Sequence, residues 1–302
     1  RYGHNKYSAV GVASYAAMCS ILGDLPAVRR FRKLATKLMD MYPDGKCRVQ
    51  TQFVITSFCT HLDQPIHQCL DSFIDTYDLG MRVGETHYAF LSAISYALAY
   101  SYIGLPLGPI IADMYRFEDT FKKYSETLLS QILSCHHQLA LNLKGEAANP
   151  RILEGDVFST AGVMSEPSEV HALVLRSWYA ANLELATFLG SPPEAARFAD
   201  LYCSIKDMDG TIFYSPWVRL NVGIAYLRMA RHTGQLRRYV LKMRRRSFRF
   251  FKFWMKHNAL NVQPNMLLLQ AELSSLDRRA TVDSVKQKYV ESIQLASRTG
   301  FI

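Results

Sequence analysis

Motifs for nucleotide and hydrolytic chemistry are missing from this 302-residue chain. There is no GxxxxGK[ST] loop, no GxGxxG after a strand, no HExxH, no GxSxG, and no kinase catalytic-loop or DFG triplet. Phosphoryl transfer needs phosphate-cradling amides and metal-binding carboxylates within reach of the nucleotide, so their absence argues against an ATPase or kinase. CxxC pairs are also missing. The six cysteines, Cys19, Cys47, Cys59, Cys69, Cys135 and Cys203, mostly sit inside apolar helical patterns and read as buried free thiols of a reducing compartment. Glycine (16) and proline (11) are too few and too evenly spread for a many-stranded sandwich or a collagenous chain. With 49% apolar and 20% charged residues, disorder is excluded as well.

Long apolar runs are equally scarce. Thr86–Ala112 carries no Asp, Glu, Lys or Arg, but Gly104, Pro106, Gly108 and Pro109 interrupt it, and tyrosines and serines make it polar. A membrane span needs about 20 dominantly apolar residues, so this segment reads as a helix buried between neighbours. Ser8–Gly23 follows a basic start but lacks a clear small-residue cleavage site, unlike a signal peptide. The chain opens on Arg1, as a fragment or a processed chain would. A soluble, cytoplasmic protein is expected.

Helical periodicity runs from end to end, without sustained two-residue alternation. Gly and Pro punctuate it: Gly23, Gly45, Gly84, Gly104, Gly145, Gly190, Gly210 and Gly234 fall at predicted helix boundaries. About a dozen helices result, in short-loop antiparallel pairs of about 35–45 residues, the spacing of tetratricopeptide-type (TPR) solenoids. The expected fold is all-α, a single TPR-like α-solenoid over residues 1–302. A soft division is expected at the Asp156–Pro167 loop, and a basic helical part over 210–302. In the last helix Val285, Tyr289, Ile293 and Ala296 share one face and are expected to pack inward. Leu139, Leu141 and Leu143 cannot share one face, so that stretch should be buried on two sides, ending at Gly145 with a positive φ.

Two clusters invite a chemical reading. Cys59, His61, Asp63, His67 and Cys69 flank a predicted helix–turn–helix and include soft ligands of the kind that zinc takes; yet residues two apart on a helix face different ways. His136 and His137 beside Cys135 have the same weakness. Neither cluster is taken as a site, and no metal, cofactor, catalytic residue or small-molecule substrate is expected.

Several segments resemble a known family. They include Gly3, Lys6–Ser8, Ser14–Tyr15, Leu22–Asp24, Phe31, Leu34–Ala35 and Leu38 near the start, then His61, Pro65–His67, Tyr77, Gly80, Gly84–Glu85 and Ala89. The densest is LNLKGEAANPRILEGDVF, Leu141–Phe158, followed by Trp254, Asn261 and Ala271–Glu272. In this order they resemble the helical, TPR-like regulatory region of multidomain signalling kinases linked to a STAND/AAA-type ATPase. There a kinase-like module and the ATPase precede the helices, and GAF and histidine-kinase modules often come after them. Leu62 stands where that family usually has Trp, and the stretch after Gly234 is more basic than its pattern. The resemblance implies a non-catalytic regulatory arm that contacts neighbouring modules or partner proteins. It carries over no catalytic residue.

Charge marks the candidate surface. The chain is +9 overall, yet 12 Arg and Lys and no acid lie between Asp209 and Glu272, which leaves the remainder at −3. Projected as one α-helix, Gln235–His257 gathers Arg238, Lys242, Arg245, Arg246, Arg249, Lys252 and Lys256 on an arc of about 120°. Val240, Leu241, Met243, Phe248, Phe250, Phe251, Trp254 and Met255 fall elsewhere, with Arg244 among them and Phe253 among the charges. An acidic protein surface is the expected partner of the basic arc. Nucleic acid or an anionic membrane is the alternative, and an all-α enzyme with a pocket of convergent His, Asp or Glu is a third reading.

Overall fold

A computed structural model describes residues 3–161, 172–205, 212–257 and 259–301. The protein is all-α, with no strand among the described residues. The helices are α1 (Ser8–Leu22), α2 (Leu25–Met41), α3 (Gly45–Phe58), α4 (Cys69–Val83), α5 (Thr86–Tyr102), α6 (Leu107–Lys123) and α7 (Leu128–Lys144). After these come α8 (Ala172–Phe188), α9 (Pro192–Ser204), α10 (Ser215–Thr233), α11 (Leu236–Met243), α12 (Arg249–Lys256), α13 (Gln263–Ser274) and α14 (Val282–Arg298).

Local chemistry sets the boundaries. Asp24 and Asp44 cap α2 and α3, accepting from the backbone N–H of Ala27 and Cys47 at 3.0 Å. Ser191 and Glu194 form a reciprocal capping box on α9, and Thr281 caps α14. Gly145 ends α7 in the left-handed region at φ 84°, as the sequence leads one to expect. Gly23, at φ 79°, also has no room for a side chain, because a Cβ there would lie 2.3 Å from the Phe253 ring.

Neighbouring helices pack as antiparallel pairs, and next-but-one contacts run through the stack: α1 on α3, α3 on α5, α5 on α7 and α8 on α10, while α10 also packs on α13. α7 packs on α8. This is the all-α helical-repeat solenoid anticipated from the periodicity. Residues 137–142 are continuously buried, consistent with contacts to α5, α6 and α8. Asn142 accounts for much of that burial's polar content. Its Nδ2 donates to the carbonyls of Asn149, Pro150 and Ile152, while its Oδ1 accepts from Gln138.

The stack turns far enough for its last helices to reach its first. A single core joins Ala16, Leu25, Val28 and Leu62 to Tyr226, Met243, Trp254 and Leu269. Buried Asn261 bonds across it: its Nδ2 donates to the carbonyls of His61 and Gln64, and its Oδ1 accepts from the Ile66 N–H at 3.1 Å. Asn265 donates to the Tyr102 hydroxyl at 3.0 Å, and Phe301 lies against the same ring.

Two expectations need correction. Ile293 is 67% exposed; Ser292 occupies the inward position instead, donating to the Pro264 carbonyl, so the packed face of α14 is Val285, Tyr289, Ser292 and Ala296. The predicted helix Gln235–His257 is interrupted by a π-helical turn, Arg244–Phe248.

Candidate basic docking groove

The π turn has an identifiable cause. Widening a helix releases carbonyls from the regular ladder, and a side chain that bonds one of them stabilises the break. Arg219 of α10 donates to the Arg246 carbonyl at 2.9 Å. Gly223, one turn along α10, lets this turn approach closely, since a Cβ there would sit 3.3 Å from Ser247 and 2.6 Å from Leu269. A π turn of five residues rotates the helix beyond it by about 90° relative to a continuous α-helix. The single basic arc predicted from 100° per residue is therefore split.

The seven predicted basic residues divide accordingly. Lys242 faces α9 and is held by both oxygens of Asp200, at 2.7 and 2.8 Å. Arg246 reaches the Cys203 carbonyl at 3.5 Å. Arg238 bonds Gln235 and lies over the Tyr239 ring. Arg245 is exposed and, like Arg238, Lys242 and Arg246, does not line the groove formed by the remaining three.

Arg249, Lys252 and Lys256 line an open groove of about 660 Å³, joined by Arg244, Phe248, Phe253 and Leu273 of α13. Arg244, the intruder in the α-helical projection, is a groove residue because of the π turn. None of these four cations has an ion-pair partner among the described residues. Glu272 beside Leu273 is already taken by Arg231 and Tyr289. Leu241 and Met255, assigned to the apolar remainder, are 45% and 36% exposed. The groove thus offers a cationic rim with aromatic and aliphatic floor elements, suited to a ligand that is both acidic and apolar.

The cysteine–histidine clusters take other roles. Asp63 is bonded by Arg29 at 3.1 Å and by Arg32 at 2.9 Å. Burial pushes the thiols of Cys59 and Cys69 up to about 12, leaving both neutral. His67 packs beneath Gly300. Among the described residues no group of three or more His, Cys, Asp or Glu gathers to hold a metal. His137 bonds Glu118 at 2.9 Å in the core, whereas its neighbour His136 points elsewhere, into an interior cavity.

That cavity, of about 80 Å³, is lined by residues of α5, α6, α7, α8, α9 and α10. His136, Arg176, Glu184, Tyr202, Tyr214 and Trp217 are among its lining residues. Sequence reasoning missed it. Arg176, Ser177, Ala180 and Glu184 do recur at helical spacing along α8, but their meeting with His136 depends on tertiary packing. Burial holds His136 down at about 4 and pushes Glu184 up to about 7, although the Trp217 indole N–H, donating at 2.7 Å, favours its ionised form.

No helix among the described residues is long and apolar enough to cross a membrane. No protein-family model and no curated protein matches the chain.

Proposed function

We propose that the protein is a non-catalytic helical-repeat scaffold whose α11–α12 segment docks an acidic, partly apolar segment of a partner protein. The observation that carries this reading is the groove: four exposed cations without an ion-pair partner among the described residues, arranged around Phe248, Phe253 and Leu273, with Lys252 over the Phe248 ring. Like charges crowded this closely repel one another and gain from an anionic counterpart. The apolar floor favours an acidic amphipathic peptide over a bare phosphate backbone. A lipid surface is disfavoured, because Tyr239, Phe251 and Trp254 belong to the core and are not free to insert. The resemblance to the helical arm of ATPase-linked signalling kinases supports the same reading. In that setting the acidic segment would belong to a neighbouring module or an associated protein, in the cytoplasm.

The test is fluorescence anisotropy with a labelled peptide alternating Glu/Asp with Leu/Phe. Binding is expected to weaken with added salt and to be lost in the Arg249→Glu/Lys252→Glu/Lys256→Glu variant, which should melt like the parent. Binding of single-stranded RNA or phosphatidylserine vesicles, with no binding of the peptide, would overturn the proposal.

A further inference from the structure

The interior cavity has the makings of a ligand site independent of the basic groove. His136, Glu184 and Tyr214 are partly buried and line its wall. A void with such walls does not stay dry, since buried polar groups require partners.

The unmet hydrogen-bonding capacity is mainly that of an acceptor. Glu184 uses Oε2 to accept from Trp217, and its Oε1 has no partner among the described residues. His136 likewise makes no hydrogen bond there, and its neutral imidazole has one nitrogen able to accept. Trp217, Tyr214 and Tyr102 surround them with aromatic rings. Among the described residues of the wall the one cation is Arg176, which lies eight residues before Glu184 on α8, about 12 Å along the axis. It is drawn to the other end, donating to the Tyr202 hydroxyl at 2.9 Å with its guanidinium 5.0 Å from the centre of that ring.

We propose that this cavity binds a small organic ammonium ion, with Glu184 as counter-ion, His136 as a hydrogen-bond acceptor and the aromatic wall supplying cation–π contact. The ring faces attract a desolvated ammonium, and the carboxylate gives it direction. The volume, about half the ~150 Å³ of an engineered cavity that admits benzene, limits the ligand to a few heavy atoms or to the head of a longer amine. Arg176, His136, Tyr102, Tyr202 and Tyr214 are the other titratable groups on the wall. Burial brings Glu184 to about 7. A bound cation favours its ionised form, so binding releases a proton and tightens as the pH rises from 6 to 8.

The experiment uses the whole chain and propylammonium chloride, with thermal shift and calorimetry at pH 6 and pH 8 as readouts. Sodium propionate serves as the charge-reversed control. Propylammonium is expected to raise Tm in a dose-dependent way, more at pH 8, and propionate to leave it unmoved. Glu184→Gln should remove the effect. Ala180→Leu, which fills the cavity without touching its charges, should remove it as well, so the test survives if one variant fails to fold. No shift in the parent would overturn the proposal. So would a shift that persists in both variants, or one produced by propionate instead, which would assign the site to the Arg176 end.

Discussion

Helix α7 and the α11–α12 segment both carry many polar groups, and they treat them in opposite ways. In α7 the buried polar residues find their main partners within the chain: His137 Nδ1 meets Glu118, and Gln138 Nε2 donates to Asn142, which in turn holds three loop carbonyls. His137 Nε2 and Gln138 Oε1 have no partner among the described residues. Along α11–α12, Arg244, Arg249, Lys252 and Lys256 stand exposed with no ion-pair partner among the described residues. Polar groups inside must be satisfied by folding, or the desolvation cost remains. Cations on the surface are satisfied by water and need no such answer. A concentration of them beside apolar floor residues therefore contributes little to the fold and points outward to a partner.

The comparison predicts unequal mutational costs. The largest is expected at Asn142→Leu, which removes the side-chain donor from three loop carbonyls, of which those of Asn149 and Ile152 keep a backbone donor, and leaves Gln138 Nε2 without its acceptor. A loss of about 3 kcal/mol in urea unfolding is expected. A loss below about 1 kcal/mol would show that the loop finds other partners.

Next come the two groups of the cavity wall, through pH. Glu184 stands at about 7 folded against 4.5 for the ordinary group, so the native state holds more protons between those values and its contribution to stability falls as pH rises through them. His136 stands at about 4 folded against 6.5, so there the unfolded state holds more protons and stability rises with pH. The two slopes oppose each other in the parent. Relative to it, Glu184→Gln should give stability that rises more steeply from pH 4.5 to 6.5, and His136→Gln stability that falls over the same window. Chemical denaturation across that range checks both signs.

A smaller effect belongs to Gly145→Val. Nothing lies within 4 Å of the added Cβ, so only the left-handed backbone is penalised, by about 1–2 kcal/mol. An unchanged Tm would remove the cap assignment. The smallest is charge reversal at Arg245, Arg249 and Lys252. Unfolding free energy should move by no more than about 0.5 kcal/mol per site, while binding of the acidic peptide disappears. If this variant unfolds, the basic face is a packing surface and the contrast with α7 fails.

How much the sequence disclosed depends on the range of the interactions involved. Helix ends at Gly23, Gly84, Gly145 and Gly234 are governed by local backbone sterics, and all four carry positive φ. The two-sided burial around Leu141 is likewise readable from spacing alone. The π turn is not, because Gly223 and Arg219 that accommodate it lie more than 20 residues away on α10. For the same reason, the groove's cations lie on the predicted basic segment, but their division from Lys242 and Arg246 is hidden. The cavity is the extreme case: six helices contribute to it, and although His136 stands in the Cys135–His137 cluster, nothing in the sequence joins it to Glu184. His61, Ile66 and Asn261 each stand out through family resemblance, while their meeting does not.

That meeting at Asn261 changes how the molecule should come apart. An open array of repeats frays from its ends, one unit at a time, since each unit touches only its neighbours. Here Asn261 ties itself to residues 195 to 200 positions earlier, so the two ends of the array share one fate. Such distant pairings raise contact order, which slows folding and couples the release of the first helices to that of the last. Amide hydrogens in α3 and α13 should therefore exchange through a common opening, and a chain cut before residue 259 should lose protection in α3 as well as at the cut. The circuit behaves as a clasped ring rather than a string of beads.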